Sequence, residues 1–311
     1  MKLKKVFKYL IIILICALCI GGIGWGLSKY CANKNENVTT KKTKEIHSQK
    51  LNLVCVGDSL TYGEQDPTHK GGYVYLVKQK LEQHYDLKVS TYNYGKTGDR
   101  TDQIEKRIKN NSDIQNHLKK ADVITMSFGG NDLIQVLQKH FNVLMDNQLL
   151  KIMPQQEKKY ANNINSLLQC IRKYNTHAPI FIFSIYNPFY VYFPTVSALQ
   201  KYTNQWVEVT KNAIKDVPKT YLVNVNNRLS QGQYLNHDQT KLKQDSKMNL
   251  ENLSSAEIQN KLNDKYELND YLSANDHFHP NLKGYQYMAN QLYQKMMQHK
   301  NLWLNSQTTK R

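Results

Sequence analysis

The chain has 311 residues and a formal net charge of +17, enough length for one large domain with a substantial core. A basic balance suits nucleic acid, an anionic membrane or an anionic polymer. No RNP-like motif, zinc-finger spacing or basic-region heptad accompanies it, which excludes nucleic acid as the partner.

The N-terminal 50 residues carry ten lysines against two glutamates, so much of the excess charge precedes the folded part. Residues 1–8 form a basic flank with Lys2, Lys4, Lys5 and Lys8. Residues 9–27 (YLIIILICALCIGGIGWGL) are almost unbroken apolar sequence, about the length that spans a bilayer as a helix, with the basic flank on the cytoplasmic side. A cleaved signal peptide competes with this reading, but no Ala-x-Ala exit follows the run. The expectation is an uncleaved single-pass signal anchor that holds the domain after it outside the cell membrane. Residues 28–50, polar and without periodicity, read as a tether.

From Leu51 onward, strands and helices alternate. Strands are expected at Leu51–Val56, Lys88–Tyr94, Asp122–Ser127, Pro179–Ile185 and Thr220–Val225. Helices are expected at Tyr73–Tyr85, Thr101–Ile108, Lys158–Tyr174, Ser197–Ile214 and about Leu282–Gln298. This rhythm predicts one α/β domain over 51–311, a mostly parallel sheet covered by helices on both faces. Two stretches break it. Residues 186–195 (YNPFYVYFPT) form an aromatic loop, and 226–270 are a polar insertion or lid. The five cysteines build neither a disulfide framework nor a zinc site. Cys55 and Cys170 are most simply small buried hydrophobes.

Four short motifs fall at strand ends or ahead of the last helix: GDSLTYG (57–63), NYGKTGDRT (93–101), SFGGNDL (127–133) and NDHFHPNLKGY (275–285). Each alone is ordinary turn chemistry. Together they place side chains at the C-terminal edge of a sheet, where open α/β folds bind ligands. The chemistry they support is acyl transfer. Ser59 is a weak nucleophile until a base takes its proton. His279 suits that role, and Asp276, three residues earlier, can fix its tautomer. His277 is the rival base, and a helix N-cap is the competing explanation for Asp276. Donors to an oxyanion are available from the N–H groups of Ser59 and Gly98 and the amide of Asn131, where a turn and a helix cap are the alternatives. Asp58 and Asp132 lie near the site and read as loop-orienting carboxylates rather than a glycosidase pair.

These residues resemble the GDSL, or SGNH, hydrolases across most of 51–298. Gly57-Asp58-Ser59-Leu60 matches the first signature block and Gly98 the second. Asn131 answers to the third block, and Asp276-His277-Phe278-His279-Pro280 to the Asp-x-x-His block. Gly95 competes with Gly98 in the second block, but the spacing from Asn93 favours Gly98. The spacing and Tyr186-Asn187-Pro188-Phe189 also look like the membrane-anchored, YpmR-like subgroup of Firmicutes. The resemblance implies a flavodoxin-like three-layer α/β/α sandwich and a metal-free esterase or lipase mechanism that needs no cofactor. It also implies a Ser59–His279–Asp276 triad and an oxyanion hole of Ser59, Gly98 and Asn131.

Two substrate classes suit the aromatic loop. Tyr186, Phe189, Tyr190, Tyr192 and Phe193 can line a groove for acyl esters of lipids, or stack on an envelope polysaccharide whose O-acetyl groups are removed. A third possibility is that the aromatics only cover the sheet edge. A non-catalytic envelope-binding protein is a different reading, opposed by the full set of motif residues. The oligomeric state has no signature.

Overall fold

The structure is a computed structural model that describes residues 49–140, 148–195, 197–245 and 267–304. The expected membrane anchor at 9–27, and the tether up to residue 48, lie outside the described residues. Among the described residues, no helix is long and apolar enough to cross a membrane.

The elements follow in chain order as β1 (Gln49–Gly57), α1 (Ser59–Tyr62), α2 (Tyr73–His84), β2 (Leu87–Gly95), α3 (Thr101–Lys109), α4 (Ser112–Lys119), β3 (Val123–Ser127) and α5 (Gly130–Lys139). Then come α6 (Gln148–Tyr174), β4 (Ile180–Phe183), α7 (Ser197–Ile214), β5 (Thr220–Val223), α8 (Asn226–Gln231), α9 (Thr240–Asp245) and α10 (Leu282–Gln298). The five strands form one sheet in the order β2-β1-β3-β4-β5, and every pairing is parallel. This is the flavodoxin-like order, with its switch point between β1 and β3.

A strand inside a parallel sheet is covered on both faces, so it reads as continuous apolar sequence. β1 does so: Leu53, Val54, Cys55 and Val56 are fully buried. Their side chains alternate between the two layers. Leu51, Leu53 and Cys55 pack with Tyr73, Val77 and Leu81 of α2 and with Leu292 of α10. Val54 and Val56 pack with Ile104 of α3, Ile164 of α6 and Trp206 of α7. Each fully buried aliphatic side chain contributes about 1.5–3 kcal/mol, so the two layers hold the sheet firmly between them.

The register brings Gly57, Gly95 and Ser127 level across the sheet, and Phe183 joins them on β4. That line is the edge from which the functional loops leave. A Cβ on Gly57 would overlap Thr61 Oγ1 and the Ser127 carbonyl. Glycine here lets α1 fold back tightly on β3.

The stretch read as a polar insertion is structured at both described ends. α8 buries Leu229 and Asn226, and Asn269 Nδ2 donates to the Leu229 carbonyl at 2.8 Å. Residues 246–266 lie outside the described residues.

Candidate active site

Ser59 opens α1, directly after Gly57 and Asp58. Asp58 caps this short helix by accepting from the Leu60 N–H at 3.0 Å. Its carboxylate also accepts from Ser127 Oγ at 2.6 Å, while Ser127 Oγ accepts from the Thr61 N–H at 3.1 Å. Burial pushes the Asp58 carboxyl up, partly offset by these hydrogen bonds. The loop-orienting role expected of Asp58 is the one its contacts describe.

The Asp276–His279 turn reaches the serine from the other side of the edge. His279 Nε2 lies 2.9 Å from Ser59 Oγ, and His279 Nδ1 lies 2.7 Å from Asp276 Oδ2. Asp276 Oδ1 accepts from the N–H groups of Phe278 and His279, both at 3.0 Å. Burial tends to raise the Asp276 carboxyl. The hydrogen bonds and charge of His279, with the two N–H groups, outweigh it and hold the carboxyl below its usual range. The helix-cap alternative for Asp276 belongs instead to Asn281, whose side chain accepts from the Gly284 N–H at the start of α10.

His277 points elsewhere. Its Nδ1 lies 2.5 Å from Glu267 Oε2 and 2.9 Å from the Tyr192 hydroxyl, and its backbone is left-handed, with φ 53°.

Gly98 has φ +83°, and no atom lies within 4 Å of where its Cβ would stand. A side chain at this position would be strained and would project into open space beside the loop. Asn131 donates through Nδ2 to the Asp99 carbonyl at 2.9 Å, which leaves the second N–H of its amide for another acceptor. Asp132 accepts from the N–H and the hydroxyl of Thr101, both at 3.0 Å. Burial pushes its carboxyl up to about 6. Asp132 therefore ties the start of α5 to the Gly98 loop.

Ser59 and Asn131 line a small cleft of about 40 Å³ with Tyr186, Ile185 and Phe278. A second cavity of about 90 Å³ adjoins it, walled by Leu133, Ile134, Leu137, Phe189 and Leu199. The two share Gly130, Ile185, Tyr186 and Phe278. Of the aromatics singled out in the sequence, Tyr186 lines both spaces and Phe189 the second. Tyr186 also donates to the Phe278 carbonyl at 2.6 Å, bracing the His279 turn. Tyr190 lines neither cavity, and its hydroxyl donates to Gln239 at 2.7 Å.

Sequence reasoning missed Ser127 and Glu267. Ser127 was visible as the first residue of the third motif, but its role appears only when β1 and β3 are set in register. Glu267 lies ten residues before His277, in a stretch whose composition signals only polarity.

Known proteins resemble the chain in sequence and in fold. The GDSL-like lipase/acylhydrolase family pattern matches residues 53–292. The chain is 27% identical over 254 residues to the uncharacterized protein YpmR of Bacillus subtilis, covering 81% of this chain and 82% of that one. It is 30% identical over 139 residues to the spore germination lipase LipC of Bacillus licheniformis, covering 45% of this chain and 65% of LipC. Among solved structures, the fold resembles the lipase Lip_vut3 from a goat rumen metagenome. The TM-score is 0.55 at 24% identity, over 78% of this chain and 95% of that one. The motifs, the parallel sheet and the matched span together show that the chain belongs to the GDSL-like lipase/acylhydrolase family and is a carboxylic ester hydrolase.

Proposed function

We propose that the protein hydrolyses acyl esters through Ser59 as nucleophile, His279 as general base and Asp276 as the group that orients the imidazole. The observation that carries this reading is the continuous chain from Ser59 Oγ through His279 to Asp276, at 2.9 and 2.7 Å. His279 Nε2 takes the serine proton as Oγ attacks the ester carbonyl. The N–H groups of Ser59 and Gly98 and the Asn131 amide receive the oxyanion. His279 then returns the proton to the departing alcohol, leaving an acyl-serine that water clears by the same steps in reverse.

The apolar cavity beside Ser59 favours esters with a hydrocarbon acyl chain. An O-acetyl polysaccharide substrate needs no such space. Residues 9–27, with lysines before them, support a membrane-anchored enzyme whose substrate lies at the outer face of the membrane. Two measurements test the proposal. A fluorophosphonate probe labels the wild type and not Ser59→Ala; equal labelling removes Ser59 from its role. With acetyl, butyryl and octanoyl p-nitrophenyl esters, butyryl or octanoyl hydrolysis exceeds acetyl. Activity confined to acetyl esters overturns the acyl-chain reading in favour of deacetylation.

A further inference from the structure

We propose that Arg107 and Asp99 are positioning residues that set the spacing of the oxyanion donors. The inference rests on the assignment of Ser59, Gly98 and Asn131 to the oxyanion hole.

Arg107 lies on α3, and its side chain is 19% exposed. Its guanidinium meets three separate pieces of chain. Nε donates to Asp99 Oδ2 at 2.9 Å, Nη1 to the Tyr94 carbonyl at 2.8 Å, and Nη2 to the Gly57 carbonyl at 3.0 Å. Gly57 ends β1 two residues before Ser59, and Tyr94 lies at the end of β2. Asp99 directly follows Gly98. The guanidinium is planar, with its donors in a fixed fork. Three good bonds to three segments therefore fix their relative positions, which a lysine ammonium, a point charge on a flexible stem, does not reproduce.

Asp99 extends the linkage to the third donor. Its carboxylate holds Arg107, while its carbonyl accepts from Asn131 Nδ2 at 2.9 Å. One residue thus joins the serine strand, the Gly98 loop and the Asn131 amide. Other side chains also hold the Gly98 loop. Asp132 grips it at Thr101, and Glu64 accepts from the Thr97 hydroxyl at 2.7 Å. Arg107 alone among these side chains reaches both the Gly57 carbonyl and the residue after Gly98. Oxyanion donors must stand about 2.7–3.1 Å from the developing charge, so a small drift of this loop weakens the transition state more than the bound ester.

The test uses Arg107→Lys, Arg107→Met and Asp99→Ala, with kcat and KM on a butyryl ester. The second readout is the affinity of a butyl trifluoromethyl ketone, which adds to the nucleophilic serine and places a tetrahedral oxyanion in the hole. Expected are a fall in kcat of about 10- to 100-fold, somewhat less than outright loss of a donor, and KM within about 2-fold. Ketone affinity falls in proportion to kcat/KM. Should the Arg107 variants fail to fold, Asp99→Ala, which removes the acceptor of Arg107 Nε and keeps the backbone carbonyl, gives the same readings.

Arg172→Met is the control. That arginine donates to the Ala178 and Pro218 carbonyls, both at 2.7 Å, at the opposite end of the sheet. Its loss lowers Tm without changing ketone affinity. Variants that lose Tm but keep wild-type kcat and ketone affinity overturn the proposal, as does lost kcat with unchanged ketone affinity. Failure of the underlying assignment looks different: Ser59→Ala retains hydrolysis, or the ketone does not bind the wild type.

Discussion

His277 and His279 stand two residues apart, and the backbone between them decides which can serve Ser59. The left-handed φ of 53° at His277 sends its ring to Glu267 and Tyr192, while His279 Nε2 lies against Ser59 Oγ. His279→Ala is expected to lower kcat by about three orders of magnitude or more, with residual turnover from the oxyanion donors. His277→Asn, a residue that tolerates left-handed backbone, is expected to stay within about tenfold of wild type. The reverse outcome transfers the base role.

The carboxylates carry opposite pH signatures. Asp276 titrates below its unfolded value, so its contribution to stability is present above about pH 4 and is lost as pH falls through the lower folded value. Asp132, raised from 3.8 to about 6, binds its proton more tightly when folded. Its contribution is full below about pH 4 and is lost as pH rises towards 6, by at most about 3 kcal/mol. Asp132→Asn keeps an acceptor for Thr101 and removes the titration. Urea melts from pH 4 to 7 are therefore expected to show a wild-type decline between pH 4 and 6 that the variant lacks; parallel curves refute it.

Helices and strands were legible where a single periodicity ran uninterrupted. Val74, Val77 and Leu81 marked the buried stripe of α2, and the apolar run of β1 marked a central strand. α6 extends ten residues before the expected start at Lys158 and carries Pro154 inside it. α5 was hidden. Gly129-Gly130-Asn131-Asp132 looks like a turn, and Gly129 indeed has φ +100°, but that residue caps a helix that begins at once. In the aromatic loop, Tyr192 and Phe193 are buried in the core rather than facing a groove, a distinction that composition does not encode. The site was readable as four motifs, whereas the ties between them join residues distant in sequence. α5 carries a prediction of its own. Ile134 lines the apolar cavity, so Ile134→Trp is expected to fill it. Octanoyl ester kcat/KM then falls at least about tenfold while the acetyl value holds within about threefold. Equal loss on both esters places the acyl chain elsewhere.

At the scale of the whole molecule, the sheet edge that carries Ser59 and the proposed membrane anchor at 9–27 occupy separate parts of the chain. The five strands and two apolar clusters of the described residues, and every residue assigned to the chemistry, lie within 49–304. A chain lacking residues 1–48 is expected to melt within about 2 °C of the full-length protein and to hydrolyse a soluble butyryl ester at the same kcat, but to leave the membrane pellet for the supernatant. In intact cells carrying the full-length protein, external protease is expected to abolish ester hydrolysis, because an anchor with basic residues on the cytoplasmic side exports the domain on its C-terminal side. Activity that survives the protease until the cells are opened reverses the orientation. A truncated chain that pellets with membranes instead assigns the attachment to the catalytic domain itself.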